Sequence, residues 1–288
     1  MKQINQFITE YIVNKKLDKP IDSEDYYDYF PETTDELIKV IHILLDKGET
    51  NFNSIDTSKI TNMSRLFTYD IFENLIFDVS NWDVSNVTNM DSMFAGCIKF
   101  NGNLSNWNVS NVETMSNMFN NCESFEGKGL ENWNVSNVKN MYCMFEDCIK
   151  FNGKSIENWD VSNVINTKSM FYSCYILNCD LSNWNVSKVE KMVGMFYKCK
   201  NFKGNGIDKW DVSNVENMNY MFEECNIFDC DLSNWNVSKV THMQHMFYNC
   251  YKFKGKGLEN WDVSNVKYMK QIFYNCTSLK NNPSWYKE

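Results

Sequence analysis

The chain has 288 residues, with 28 Lys and Arg against 37 Asp and Glu, a net charge of −9 and a pI near 5.0. That balance argues against nucleic acid as a partner, because phosphate recognition needs concentrated positive charge. No apolar run approaches the roughly 20 residues of a membrane span.

Residues 1–51 form a head distinct from the rest of the chain. Ile4, Phe7, Ile8, Tyr11 and Ile12 share a helical spacing, and so do Leu37, Val40, Ile41, Leu44 and Leu45. The second run carries its own start and stop signals: Pro31 before it, Thr33 and Glu36 as a capping box, and Gly48 at its end. Between them lies an acidic, tyrosine-rich stretch from Asp22 to Phe30, and the head carries six Lys against eleven Asp and Glu. A repeat array needs its first unit covered, so the head is expected to be a helical N-terminal cap, with a docking module as the alternative. The start Met1-Lys2-Gln3-Ile4 leads into no apolar secretory segment. The expected location is therefore cytoplasmic or virion-associated rather than secreted.

From residue 52 one phrase repeats. Trp stands at 82, 107, 133, 159, 184, 210, 235, 261 and 285, in steps of 24 to 26 residues, and a degenerate first copy places Ile55 where the Trp belongs. Self-similarity at such a period is the signature of a solenoid, in which each unit buries its apolar face against its neighbours. Residues 52–288 thus read as one degenerate, eight full and one truncated repeat. Trp107 and Val109 alternate as in a short strand. Val112, Met115, Met118, Phe119 and Cys122 come next at helical spacing, and Ser110 with Glu113 reads as a capping box. Linkers such as Gly127-Lys128-Gly129 and Gly204-Asn205-Gly206 turn the chain back. A parallel ladder of such strands, about 4.8 Å apart, would be roughly 45 Å long with the strands on its concave side and short helices opposite.

The recurring string, here Val87-Thr88-Asn89-Met90-Asp91-Ser92-Met93-Phe94-Ala95-Gly96-Cys97-Ile98-Lys99-Phe100, resembles the leucine-rich repeat, and more closely the BspA-like leucine-rich repeat surface proteins. The resemblance covers about 52 to 285 and implies an α/β, leucine-rich-repeat-like solenoid that binds proteins or cell surfaces. Similar short-repeat arrays occur in gut bacteria and their phages, which implies a structural or virion-associated assembly protein as the alternative function.

Eight of the eleven Cys, from Cys97 to Cys276, lie fifteen residues after a Trp. Such a column is expected to be small buried hydrophobes rather than disulfide partners or zinc ligands, since no C-x-x-C pair exists. His242 and His245 form an H-x-x-H pair in one repeat only, too few ligands for zinc. No cofactor, no metal and no catalysis are expected: a ladder repeats like groups, whereas a reaction needs unlike groups converging.

With Trp and Val turned inward, their neighbours face out from the concave side: Asn81, Asp83, Asn106, Asn108, Asn132, Asn134, Asn158, Asp160, Asn183, Asn185, Lys209, Asp211, Asn234, Asn236, Asn260 and Asp262. This polar field is a candidate surface for a protein or a surface glycan, although stacked amides also bond to one another along a ladder. A second candidate is the variable flank bearing Tyr172, Tyr197, Tyr220, Tyr248 and Tyr274, since tyrosine makes good contacts at low entropic cost. Self-association through the head or the Trp285 end is a third candidate.

Overall fold

The computed structural model describes residues 27–68 and 70–287. The expected helical face from Ile4 to Ile12 and residues 22–26 of the acidic stretch lie outside them.

Helix α1, Thr34–Asp46, forms where its apolar spacing put it, with Leu37, Val40, Ile41 and Leu44 buried. Thr33 caps it by accepting the Glu36 amide, and Glu36 reaches back to the amide of Glu32 at 2.7 Å. The helix joins the array through its buried face, which is continuous with the repeat core. Thr34 Oγ1 donates to Asn62 O at 2.6 Å, and Tyr29 pairs with Ile55 in a parallel bridge. A single turn, α2 (Asp70–Glu73), then places Phe72 edge-on against Phe67.

The repeats themselves correct the expected fold. Among the described residues no full repeat contains a strand or an α-helix, and the degenerate first repeat has only the single turn α2, so the α/β solenoid with a parallel β-ladder and opposing helices is not what the chain forms. The rungs are instead turns, with short 3₁₀ segments at Leu130–Asn132, Lys154–Ile156, Ile207–Lys209 and Leu258–Asn260.

The reason lies in where the backbone hydrogen bonds go. In the rung of Trp107, the amides of Met115, Asn117, Phe119 and Asn121 cross to Asn140, Tyr142, Met144 and Glu146 of the next rung at 2.7–3.0 Å. The amides of Met118, Asn120 and Cys122 instead close turns onto residues three back in their own rung. A helix would direct all of these amides along itself and leave none for the neighbour. The overlapping turns have steps of three residues, so they bury the same Val, Met, Phe and Cys that looked helical. They also demand left-handed backbone at two positions per rung, such as Asn117 (φ 55°) and Asn121 (φ 57°). That conformation costs on the order of 1 kcal/mol per non-glycine residue, which a cross-rung hydrogen bond of about 1 kcal/mol offsets.

Apart from Tyr29–Ile55 and Asn51–Asp78 at the start of the array, parallel pairing among the described residues is one bridge per rung, along Asn62, Asn89, Thr114, Asn140, Asn166, Lys191, Asn217, His242 and Tyr268. These residues lie seven after the Trp, away from the Trp-x-Val segment expected to carry the ladder. The Trp107 amide turns back to Leu104 O within its own rung.

Side chains complete the joints. Every Trp indole N–H donates to a carbonyl of the rung before it, from Trp82 to Phe52 O through to Trp285 to Leu258 O, at 2.7–3.1 Å. The thiols repeat the device: Cys97, Cys122, Cys148, Cys174, Cys199, Cys225, Cys250 and Cys276 each donate to the carbonyl of a Phe one rung back at 2.9–3.3 Å. All eleven Cys are free and buried. The phenylalanines from Phe94 to Phe273 stack with centroids 5.5–5.9 Å apart. Glycine is required where rungs touch: Gly206 has φ 83°, and a Cβ there would stand 2.2 Å from Ser182 N.

Candidate functional site

On the Trp edge, the side chains beside the indoles are exposed, and those that follow the indole are engaged. The residue after each Trp accepts the amide of the Ser two positions on: Asp83, Asn108, Asn134, Asp160, Asn185, Asp211, Asn236 and Asp262, at 2.9–3.2 Å. Each is an Asx turn that fixes the bend out of Trp-x-Val. This also revises the role expected of the serines: Ser110 gives its amide to Asn108 rather than capping a helix with its hydroxyl. Hydrogen bonding to these Ser residues holds the Asp160, Asp211 and Asp262 carboxyls below the usual carboxylate range.

The residue before each Trp is used less regularly. Asn106 donates to Asn81 at 3.3 Å, Asn183 to Asn158 at 3.0 Å, and Asn234 to Asp208 O at 3.3 Å. Asn132, Asn260 and Lys209 are exposed in the same column. A further amide column lies outside the candidates named from the sequence. Asn86, Asn111, Asn137, Asn163, Asn214 and Asn265 each donate Nδ2 to a Ser carbonyl one rung back at 2.7–2.8 Å. Their constant place before the second Val was the available signal. Where Lys188 and Lys239 replace the Asn, the ammonium reaches Asn163 and Asn214 instead.

A second column carries the tyrosines. Tyr172 stacks on Tyr197 with centroids 4.4 Å apart, and Tyr248 on Tyr274 at 4.8 Å. Lys198 sits over the Tyr197 ring at 5.1 Å. Tyr220 and Tyr274 are 38% and 52% exposed, and Tyr268 51%, so this flank exposes aromatic rings where the Trp edge buries them.

The two histidines part company. His242 contacts Thr241 Oγ1 at 2.7 Å and stacks on Tyr268. His245 stacks on Tyr248 and brings Nδ1 to 3.3 Å from Glu223 Oε2. Among the described residues no group of three or more His, Cys, Asp or Glu is arranged to hold a metal ion. No described helix is long and apolar enough to cross a membrane. Linker lysines pair with carboxylates one rung back, Lys254 with Asp229 and Lys256 with Asp231.

No curated protein matches the sequence. Among solved structures, the chain is similar to the T. pallidum leucine-rich repeat protein TpLRR, at 15% identity over 63% of this chain and 78% of that one, with a TM-score of 0.40. It is also similar to TLR13 in the TLR13–ssRNA13 complex, at 11% identity over 85% of this chain and 46% of that chain, with a TM-score of 0.16. The chain belongs to the family described as "Mycoplasma protein of unknown function, DUF285", which matches residues 41–129, 122–206 and 176–286.

Proposed function

We propose that the chain is a non-catalytic scaffold that binds a protein through its tyrosine-bearing flank. The observation that carries this reading is the contrast between the two faces. The Asx side chains beside the indoles are occupied in the rungs' own turns, whereas Tyr220, Tyr268 and Tyr274 expose a third or more of their surface. Rigid aromatic groups on a fixed backbone lose little entropy on binding. Kinship with the BspA-like leucine-rich repeat proteins is part of the same proposal, supported by the Val-x-x-Met, Met-Phe and Cys-x-x-Phe spacing. Residues 27–51 serve as cover for the first rung, a role supported by the buried face of α1 and the bond from Thr34 to Asn62.

The test compares three baits in quantitative capture from cells that make the chain: wild type, a variant with Tyr220, Tyr248 and Tyr274 changed to Ser, and a variant with Asn106, Asn132 and Asn260 changed to Ser. A partner retained by wild type and the Asn variant but lost by the Tyr variant, with all three melting alike, supports the reading. A partner lost only by the Asn variant overturns it.

A further inference from the structure

The tyrosine flank is interrupted at one rung. Thirteen residues after each Trp stand Ala95, Asn120, Glu146, Tyr172, Tyr197, Glu223, Tyr248 and Tyr274. Glu223 therefore occupies the place of a ring between two tyrosine pairs. It is 8% exposed, the one charged residue that is buried among the described residues. Glu146, in the same column, shows how the fold satisfies a carboxylate there: Asn120, one rung back, donates Nδ2 to its Oε2 at 3.0 Å. For Glu223 that neighbour is Tyr197, and Oε2 makes no hydrogen bond. His245 Nδ1 is close at 3.3 Å but not in bonding geometry. A buried acceptor without a donor is costly, and the other rungs carry Tyr, Asn, Ala or, at Glu146, a carboxylate with its own donor at this position.

We propose that the donor comes from a partner: Glu223, set between the tyrosines of adjacent rungs, takes the guanidinium of an arginine side chain of a bound protein. This rests on the reading of the flank as a protein-binding surface. Guanidinium fits because it is flat, stacks on aromatic faces and bonds a carboxylate through two N–H groups. The groups around the slot are Tyr197 and Lys198 from the rung before, Tyr220 and Glu224 from its own, and His245 and Tyr248 from the rung after, with Lys270 acting on His245 from one rung further. His245 covers Oε2 and is itself 26% exposed in its side chain, so it is the group that swings out on entry. Burial, and then the neighbouring Glu224, push the Glu223 carboxyl up to about 7, while burial and then Lys270 hold His245 below its ordinary value. The arginine site is therefore ionised and strongest above neutrality and weakens as pH falls through about 7.

The test titrates N-acetyl-arginine methylamide into the full chain at about pH 8, following the Glu223 carboxyl and Tyr248 ring by NMR, with the uncharged isostere N-acetyl-citrulline methylamide as control. Glu223→Gln and Glu223→Tyr, the second of which completes the tyrosine column and keeps the fold, are expected to weaken binding by about tenfold or more. His245→Ala is expected to bind as well as wild type or better. Equal binding of citrulline, or wild-type affinity in Glu223→Tyr, overturns the proposal. Absence of any probe binding also overturns it, and leaves the scaffold reading to the tyrosine-dependent capture, which uses no arginine probe.

Discussion

Trp159→Phe isolates the joint between rungs. The Trp159 indole is 3% exposed, donates to Leu130 O at 2.9 Å, and stacks on Trp133 at 6.2 Å and 4°. Phenylalanine keeps an aromatic ring but removes the N–H and part of the volume. Leu130 O keeps a second donor, the Trp133 amide at 3.1 Å, so the carbonyl is not left bare and the hydrogen-bond loss stays near 1 kcal/mol. The unfilled volume adds about 1 kcal/mol more, for a total of roughly 2 kcal/mol. Trp285→Phe removes the same kind of bond, to Leu258 O at 2.7 Å, but its ring is only partly buried, so its cost is expected to be about half. Guanidinium unfolding monitored by far-UV circular dichroism reads both without depending on the fluorophore being removed. A Trp159→Phe loss below about 0.5 kcal/mol, or one smaller than that of Trp285→Phe, would refute the reasoning.

The same geometry sets other outcomes. Burial pushes the Cys97, Cys143, Cys179, Cys230 and Cys276 thiols up to about 12. A folded value above the unfolded one, near 9, means full stability below about pH 9 and progressive loss as pH rises above it toward about 12; alkaline melts read this, and a flat profile to pH 11 would contradict it. A thiol reagent at neutral pH is expected to label none of the buried thiols in the native chain and all eleven after denaturation. Gly206→Ala forces a left-handed residue against Ser182 N and is expected to cost at least 1–2 kcal/mol, whereas Asn117→Gly, at a non-glycine left-handed position, is expected to stabilise or leave the melting midpoint unchanged. The lowered carboxyls of Asp160, Asp211 and Asp262 contribute stability above the ordinary carboxylate range and lose it as pH falls; Asp160→Asn is expected to make the acid limb shallower, since Asn fills the same turn in other rungs.

What the sequence disclosed and what it hid have a common cause. Burial of the Trp, Val, Met, Phe and Cys columns was legible because each residue recurs in register, and register is what a repeat array must preserve. The helix assigned to Val112 through Cys122 was wrong because steps of three residues suit overlapping turns as well as a helical stripe. The distinguishing sign was present at the left-handed positions, where Ser92, Gly96, Asn117, Asn121, Asp147, Ser169 and Ser173 are poor helix residues and good turn residues. The strand assigned to Trp-x-Val failed because period-two burial fixes which side a residue faces and not where its amide bonds. Tyr172, Tyr197, Tyr220, Tyr248 and Tyr274 could be named from variability within the repeat. Glu223 could not, since an acid among tyrosines on a flank looks like a solvated surface residue until its buried oxygen is seen without a donor.

Alternate amides of the full rungs from Trp82 to Trp235 bond to the next rung rather than along a helix. Through-hydrogen-bond NMR couplings on deuterated protein test it directly. Couplings are expected from the Met115, Asn117 and Phe119 nitrogens to the carbonyl carbons of Asn140, Tyr142 and Met144. Couplings from Asn117 to Glu113, or from Phe119 to Met115, four residues back in the same rung, would contradict it.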